Sequence, residues 1–499
     1  MLRVLGSSRT LCDGLTRRDL LHAGGLGICG LGLDQLLQTH AAQAEPSGDL
    51  PSFGRAKHCL LLYLYGSPSQ LETFDMKPTA PREIRGTMLP IHSSLPGLDV
   101  CEHLPETARV MDRVAVVRSV THPYPVHGVA FATSGIPIID IPMELSPHDP
   151  QHHPYFGSIV QYLDQQRRGQ TLPELPQNVA LPFPFSSQRV GEVSRAGPYA
   201  SFLGNAYNPT WTDFHGMGTR PVVKILQGTK LECRDPYLGC TRDSHFRFAA
   251  TSALPDMNLD RLHRRRSLLQ QFENDRARWE RTAHAGSLSR YQEMAFKLIT
   301  SSKASDALDV RREDAATRDL YGHTLFGQSC LAGRRMLEAG TRLVSVFWDE
   351  YGLAGDAWDT HYNHFTRMTD QLLPQFDRAF SGLIIDLEQR GLLDDTLVAV
   401  LSEHGRTPKI STGQGGGRDH WSQAYSVVLA GGGIARGKVI GATDKHAGAP
   451  TERPVSPKDI LATMYHLLGI DPHVRLADRA GQTVPLVPEG ARVIRELLA

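Results

Sequence analysis

Three stretches of the chain set an acid beside or close to a histidine. "GDAWDTHYNHF" (355–365) carries Asp359, His361 and His364, "LSEHGRTPKI" (401–410) carries Glu403 and His404, and "GGGRDHWSQAY" (415–425) carries Asp419 and His420. Imidazole and carboxylate are the ligand set that zinc, manganese or iron accepts. One such cluster is an ordinary feature of a solvated loop. Three make a candidate metal site if the fold brings them to one place. Two earlier stretches carry one of the two types each: "GSPSQLETFDMKP" (66–78) holds Glu72 and Asp75, and "THPYPVHGVAFATSG" (121–135) holds His122 and His127. His127 and Gly128 precede an apolar segment that reads as a helix, whose first N–H groups can hold an anion. Arg406 and Arg418 adjoin the acid–histidine pairs and are candidates to clamp an anionic substrate.

Metal ligands must converge, so the elements that carry them matter as much as the residues. The runs at 57–66, 112–120, 341–348, 395–401 and 424–430 are continuous apolar or β-branched stretches that stop in loops. That is the pattern of strands covered on both faces. Helical stretches separate them, and 364–391 reads as one long helix despite Pro374. Strands alternating with helices predict an α/β fold, a mostly parallel central sheet with helices on both faces. In such sheets ligands sit beyond the C-terminal ends of the strands, and those are the ends where Asp, Glu and His collect here.

Residues 141–255 are rich in Pro, Gly, aromatics and His with weak periodicity, and read as surface insertions over the sheet edge. The stretches 259–283 and 289–301 read as amphipathic helices. Arg17–Arg18 stand before a Gly-rich apolar stretch, with Ala42 and Ala44 at a cleavage-like site. Residues 1–45 are therefore expected to be a twin-arginine export signal, and the mature protein to be periplasmic or extracellular, without stable membrane insertion. Lys+Arg and Asp+Glu both total 53, so the formal charge is zero. The one basic cluster, "RLHRRRS" (261–267), reads as a helix face rather than a nucleic-acid footprint. The seven cysteines form no C-x-x-C pair, which argues against a structural zinc site. Cys233 and Cys240 flank a turn-like segment where a local disulfide is compatible with export.

The strand "LVAVLSEHG", "GRDHW" and the closing "VSPKDILATMYHLLGI" (455–470) resemble the C-terminal half of the alkaline phosphatase/sulfatase superfamily. More narrowly, the Arg-Arg leader, "GSPSQLETFDMKP", "RSVTHPYPVHG", "YGHTLFGQSCLAGRRMLEAGTRLVSVFWD", "WDTH", "SEHGRTP" and "GRDHW" resemble the DUF1501 family, in that order. The resemblance implies an alkaline-phosphatase-like three-layer sandwich over 55–480, with a long insertion at about 141–300. It implies two divalent ions (zinc, calcium, magnesium or manganese) held by Asp and His. Glu403–His404 match the superfamily's Asp-His pair, His420 its late histidine, and Asp359 and His361 its other acid–histidine pair. His364 competes with His361, and Glu72 or Asp75 stands where the first-strand acid belongs.

The chain departs from the superfamily where a Ser, Thr or Cys nucleophile should open a helix. Pro125, Val126 and His127 stand there instead. Three readings stay open: His127 as catalytic nucleophile or ligand, direct attack by a metal-bound water, or loss of catalysis. The expected activity is hydrolysis of sulfate or phosphate esters, on a small-molecule or polysaccharide substrate. The alternative is a non-catalytic binding or scaffold protein on the same fold. No G-x-S-x-G elbow supports a serine hydrolase.

Overall fold

The computed structural model describes residues 51–135, 146, 149, 152–169, 173–185, 188–189, 197–226, 229–249, 293–298, 302–352, 357–413, 415–478 and 480–499. The expected export signal at 1–45, the basic cluster at 261–267 and the helix at 259–283 lie outside these residues. So does the helix at 289–301, except for 293–298, which are helical.

The central sheet has nine strands: β1 (His58–Leu64), β2 (Val114–Val120), β3 (Asn178–Leu181), β4 (Thr210–His215), β5 (His245–Phe248), β6 (Leu343–Trp348), β7 (Thr396–Leu401), β8 (Tyr425–Ala430) and β9 (Lys438–Ile440). Their order is β5-β4-β3-β6-β1-β7-β8-β2-β9. The five apolar runs read from the sequence are its five consecutive central strands. Every residue of β6 and β7 is buried, so both faces of the sheet are covered. On one face, the helix Leu325–Glu338 brings Gly333 against Leu60, Val344 and Val346. On the other, the helix Phe156–Arg168 brings Gly157 against Leu343, and Tyr155 bonds Ser345. Val344 and Val346 alternate with Leu343 and Ser345 along β6, which is why two helix layers share one strand.

β1 pairs parallel with β6 and β7, β3 with β6 and β4, and β2 with β9. β8 is antiparallel to both β7 and β2, and β5 is antiparallel to β4. The reversal of β8 has a consequence for the site. It puts the loop that precedes β8 at the edge where the loops that follow β1, β2, β6 and β7 emerge.

The middle of the chain differs from expectation. Among the described residues of 141–255, β3, β4 and β5 extend the sheet itself rather than only covering its edge. These strands are short and mixed in polarity, so no apolar run marks them. Cys233 and Cys240 are both free and lie on one strand of a hairpin, Gly218–Leu226 with Thr229–Cys240. At ~3.3 Å per residue, seven residues of strand separate them by far more than the ~7 Å a disulfide spans. The expected disulfide is therefore not formed. The long helix begins at His364, passes a π-turn at Met368–Leu372, and continues as Leu373–Gln389. The π-turn ends two residues before Pro374 and accommodates the residue that cannot donate a backbone bond. Among the described residues, no helix is long and apolar enough to cross a membrane.

Candidate metal centre

Four loops converge at this sheet edge. The loop after β2 brings His127, the loop after β6 brings Asp359 and His361, the loop after β7 brings Glu403 and His404, and the loop before β8 brings His420. A two-residue ribbon locks the last two together: Gly405 pairs with Trp421 and Arg406 with His420, antiparallel. The ribbon joins the "SEHGR" and "RDHW" motifs, whose histidines then face one site.

His127, His404 and His420 form one group of potential ligands, and Asp359, His361 and His420 another. Within each group the ligand atoms lie within 4.8 Å of one another. Asp359 Oδ1 lies 3.1 Å from His361 Nε2 and 3.3 Å from His420 Nε2. Asp359 Oδ2 lies 3.4 Å from His127 Nε2. His361 Nε2 and His420 Nε2 are 3.1 Å apart. A tetrahedral ion with ~2.0–2.1 Å bonds separates its donors by ~3.3 Å, so these spacings match the edges of a coordination shell.

The other ring nitrogens explain why Nε2 is the inward atom each time. Nδ1 of His404 lies 2.8 Å from the Gly405 carbonyl, that of His420 3.3 Å from the Pro125 carbonyl. Nδ1 of His127 lies 3.0 Å from Glu403 Oε1, and that of His361 2.7 Å from Asp419 Oδ1. An acceptor at Nδ1 holds the proton there and leaves the Nε2 lone pair for a metal. His404 makes the strongest case. Its side chain is fully buried, and its Nε2 has no hydrogen-bond partner. A buried bare nitrogen is costly unless something binds it.

Two imidazoles are held apart from the other two electrostatically. Burial lowers the pKa of His127, but the Asp359 and Glu403 carboxylates outweigh it and push it up to about 9. A hydrogen bond to Asp359 also raises His361. Burial lowers His404 far below the usual histidine range, with the charges of Arg406, His420 and His127 adding to it. Burial lowers His420 as well, against the pull of Asp359. Burial would raise Asp359, yet the bonds from His127, His361 and His420 and the charge of Arg406 hold it well below the usual carboxylate range. The Asp359 and Glu403 carboxylates thus draw positive charge toward His127 and His361, while His404 and His420 stay neutral.

The structure does not bring every expected residue into this centre. Glu403 orients a histidine instead of joining either ligand group. Its Oε1 accepts from Gly66 N–H at 2.7 Å and from His127, and its Oε2 accepts from Tyr63 Oη at 3.1 Å. Glu72 lies in a separate buried pair, where Arg418 Nη2 donates to its Oε1 at 2.5 Å. His364 Nε2 is 3.2 Å from Glu72 Oε2, so the competing ligand belongs to that same group. Asp75 accepts from Lys77 at 2.9 Å and from Thr443. Neither Glu72 nor Asp75 supplies a first-strand acid. Gly66 occupies the approach from β1.

Arg406 and Arg418 are not placed as substrate clamps. Both are fully buried. Arg406 donates to Asp359 at 2.6 Å and to the carbonyls of Gly66, Ser67 and Arg418. Arg418 donates to Glu72 and to the carbonyls of Thr407, Pro408 and Ile84. Buried guanidinium groups that bond a carboxylate and several backbone oxygens knit the loops together. Asp419, Tyr63 and Gly66 take part in the centre, although no motif marks them for these roles. Asp419 was legible only as the neighbour of His420.

The chain belongs to the family described as "Protein of unknown function (DUF1501)", whose family model matches residues 56–498. No curated protein matches the sequence. Solved structures with a similar course of the chain include i-CgsB in complex with k-i-k-neocarrahexaose, at 11% identity over 83% of this chain and 72% of that one, TM-score 0.34. The lipoteichoic acid synthase LtaP from Listeria monocytogenes overlaps at 10% identity over 89% and 78%, TM-score 0.35. The phosphonate monoester hydrolase SpPMH from Silicibacter pomeroyi overlaps at 10% identity over 88% and 76%, TM-score 0.32. At such scores the likeness carries no argument about activity.

Proposed function

We propose that this chain is an exported, metal-dependent hydrolase of sulfate or phosphate esters. The observation that supports it is the gathering of His127, His404 and His420 in one ligand group and of Asp359, His361 and His420 in another, with each Nδ1 and Asp359 held by a partner behind it. His127, His361, His404, His420 and Asp359 would hold the ion. The nitrogen-rich set favours zinc over calcium and magnesium, which take oxygen ligands. A divalent ion there supplies Lewis acidity toward an ester oxygen and lowers the pKa of a water.

The chain's own residues shape access to that chemistry. The His404 side chain is fully buried and closes the floor, whereas those of His127, Asp359 and His361 are 21%, 22% and 35% exposed. The open side leaves room for a substrate, as in a catalytic rather than a structural site. His127 Nε2 faces the other ligand atoms, which favours its reading as a ligand over that of a nucleophile. The test is metal analysis of the purified full chain, followed by turnover of aryl sulfates, aryl phosphates and sulfated oligosaccharides. Bound zinc or manganese with ester turnover lost in His404→Ala supports the proposal. An ion-free protein overturns it, and a loaded protein inert on the whole panel supports the binding-protein alternative.

A further inference from the structure

We infer that the centre holds a single ion, with His127 among its ligands, and that Glu403 is a positioning residue acting through His127. This rests on the metal-dependent reading above but departs from the two-ion arrangement that the superfamily resemblance implies.

Three observations carry it. First, the two ligand groups share His420, whose Nδ1 faces the Pro125 carbonyl and whose Nε2 lies 3.1 Å from His361 Nε2 and 3.3 Å from Asp359 Oδ1. A neutral imidazole nitrogen has one lone pair and ligates one ion, so His420 cannot complete both groups for separate ions. Second, the acids that a second ion needs are committed elsewhere. Glu72 is paired with Arg418 and Asp75 with Lys77, both buried. Third, Glu403 is buried and accepts hydrogen bonds from three groups on two separate loops and a strand. Its extra methylene relative to Asp lets the carboxylate reach Gly66 N–H, Tyr63 and His127 together. The result is a carboxylate–histidine relay in which the acid fixes the ring and the ring meets the ion.

The experiment loads the full chain with zinc, manganese and cobalt in turn. Expected results are one ion per chain by elemental analysis and native mass spectrometry, and a manganese EPR spectrum of an isolated ion. Glu403→Gln should weaken metal affinity by roughly 10–100-fold while keeping the stoichiometry and the cobalt absorption pattern. His127→Ala should change the cobalt pattern, and adding Glu403→Gln to it should cost no further affinity. Should Glu403→Gln fail to fold, Tyr63→Phe removes one of the donors that hold Glu403 and should weaken affinity in the same sense at unchanged stoichiometry. Two ions with an exchange-coupled manganese spectrum overturn this inference and leave the hydrolase reading standing. So does a cobalt pattern altered by Glu403→Gln and untouched by His127→Ala. An ion-free wild type overturns both readings.

Discussion

Nε2 of His361 lies 3.1 Å from Nε2 of His420, while the Nδ1 atoms of the two rings face Asp419 and the Pro125 carbonyl. With both protons kept at Nδ1, two lone pairs would point at each other. An extra proton or a metal ion between them turns that repulsion into binding. The carboxylates that raise His127 and His361 supply the first remedy, and an ion would supply the second.

Metal removal should therefore destabilise the fold as well as abolish activity. An ion at 100 times its dissociation constant contributes about 2.7 kcal/mol to the native state. Chelation should lower Tm by about 3 °C for a domain of this size. Calorimetry with and without chelator, then with metal restored, measures it. An unchanged Tm contradicts a bound ion.

Arg406 separates a structural role from a substrate-clamping one. Its buried guanidinium ties Asp359 to three carbonyls of neighbouring loops. Arg406→Met leaves those groups unpaired and should cost about 3–5 kcal/mol. Arg406→Lys should recover little, because an ammonium cannot reproduce the fork. Urea denaturation and metal content read this directly. A variant with normal stability and a raised KM alone would restore the clamp.

The Glu72–Arg418 pair should shape acid stability. Burial by itself raises the Glu72 carboxyl, but Arg418 and His364 outweigh it and hold it at about 2, against 4.5 unperturbed. A carboxylate with a depressed folded pKa contributes stability above its unfolded pKa and loses it as pH falls. The contribution is present above about pH 4.5 and disappears toward pH 2, with a size on the order of 3 kcal/mol. Glu72→Gln should be less stable at neutral pH and should show a flatter fall across that window. Denaturant midpoints at a series of pH values test it, and parallel acid limbs for the two proteins would refute it.

The central strands and the ligand clusters were legible for different reasons. β1, β2, β6, β7 and β8 are continuous apolar runs because both faces are covered, and burial leaves a mark in one dimension. Asp359, His361, His404 and His420 were legible because carboxylate and imidazole recur at strand ends. Their partners were not. Glu403 meets Gly66 337 residues away, and Arg418 meets Glu72 346 residues away. Whether an acid binds metal or salt-bridges is decided by such distant neighbours, and local spacing holds no trace of them. β3 is only four residues long, which left the sheet's far edge unread.

Gly66 offers the sharpest test of how tightly the fold holds the centre. It has φ +86°, and a Cβ there would run into the Asp359 backbone, while its N–H bonds Glu403 at 2.7 Å. Gly97 has nearly the same φ, +83°, with nothing within 4 Å of an added Cβ. Both alanine variants bear the left-handed backbone cost of about 1–2 kcal/mol. Only Gly66→Ala must also push Asp359 away from the histidines or pull Glu403 from His127. Gly66→Ala should therefore be the less stable of the two and should bind metal more weakly, whereas Gly97→Ala should load normally. Melting curves and metal titrations of the pair decide it. Equal metal affinities would mean that the approach of β1 to Asp359 does not help build the centre.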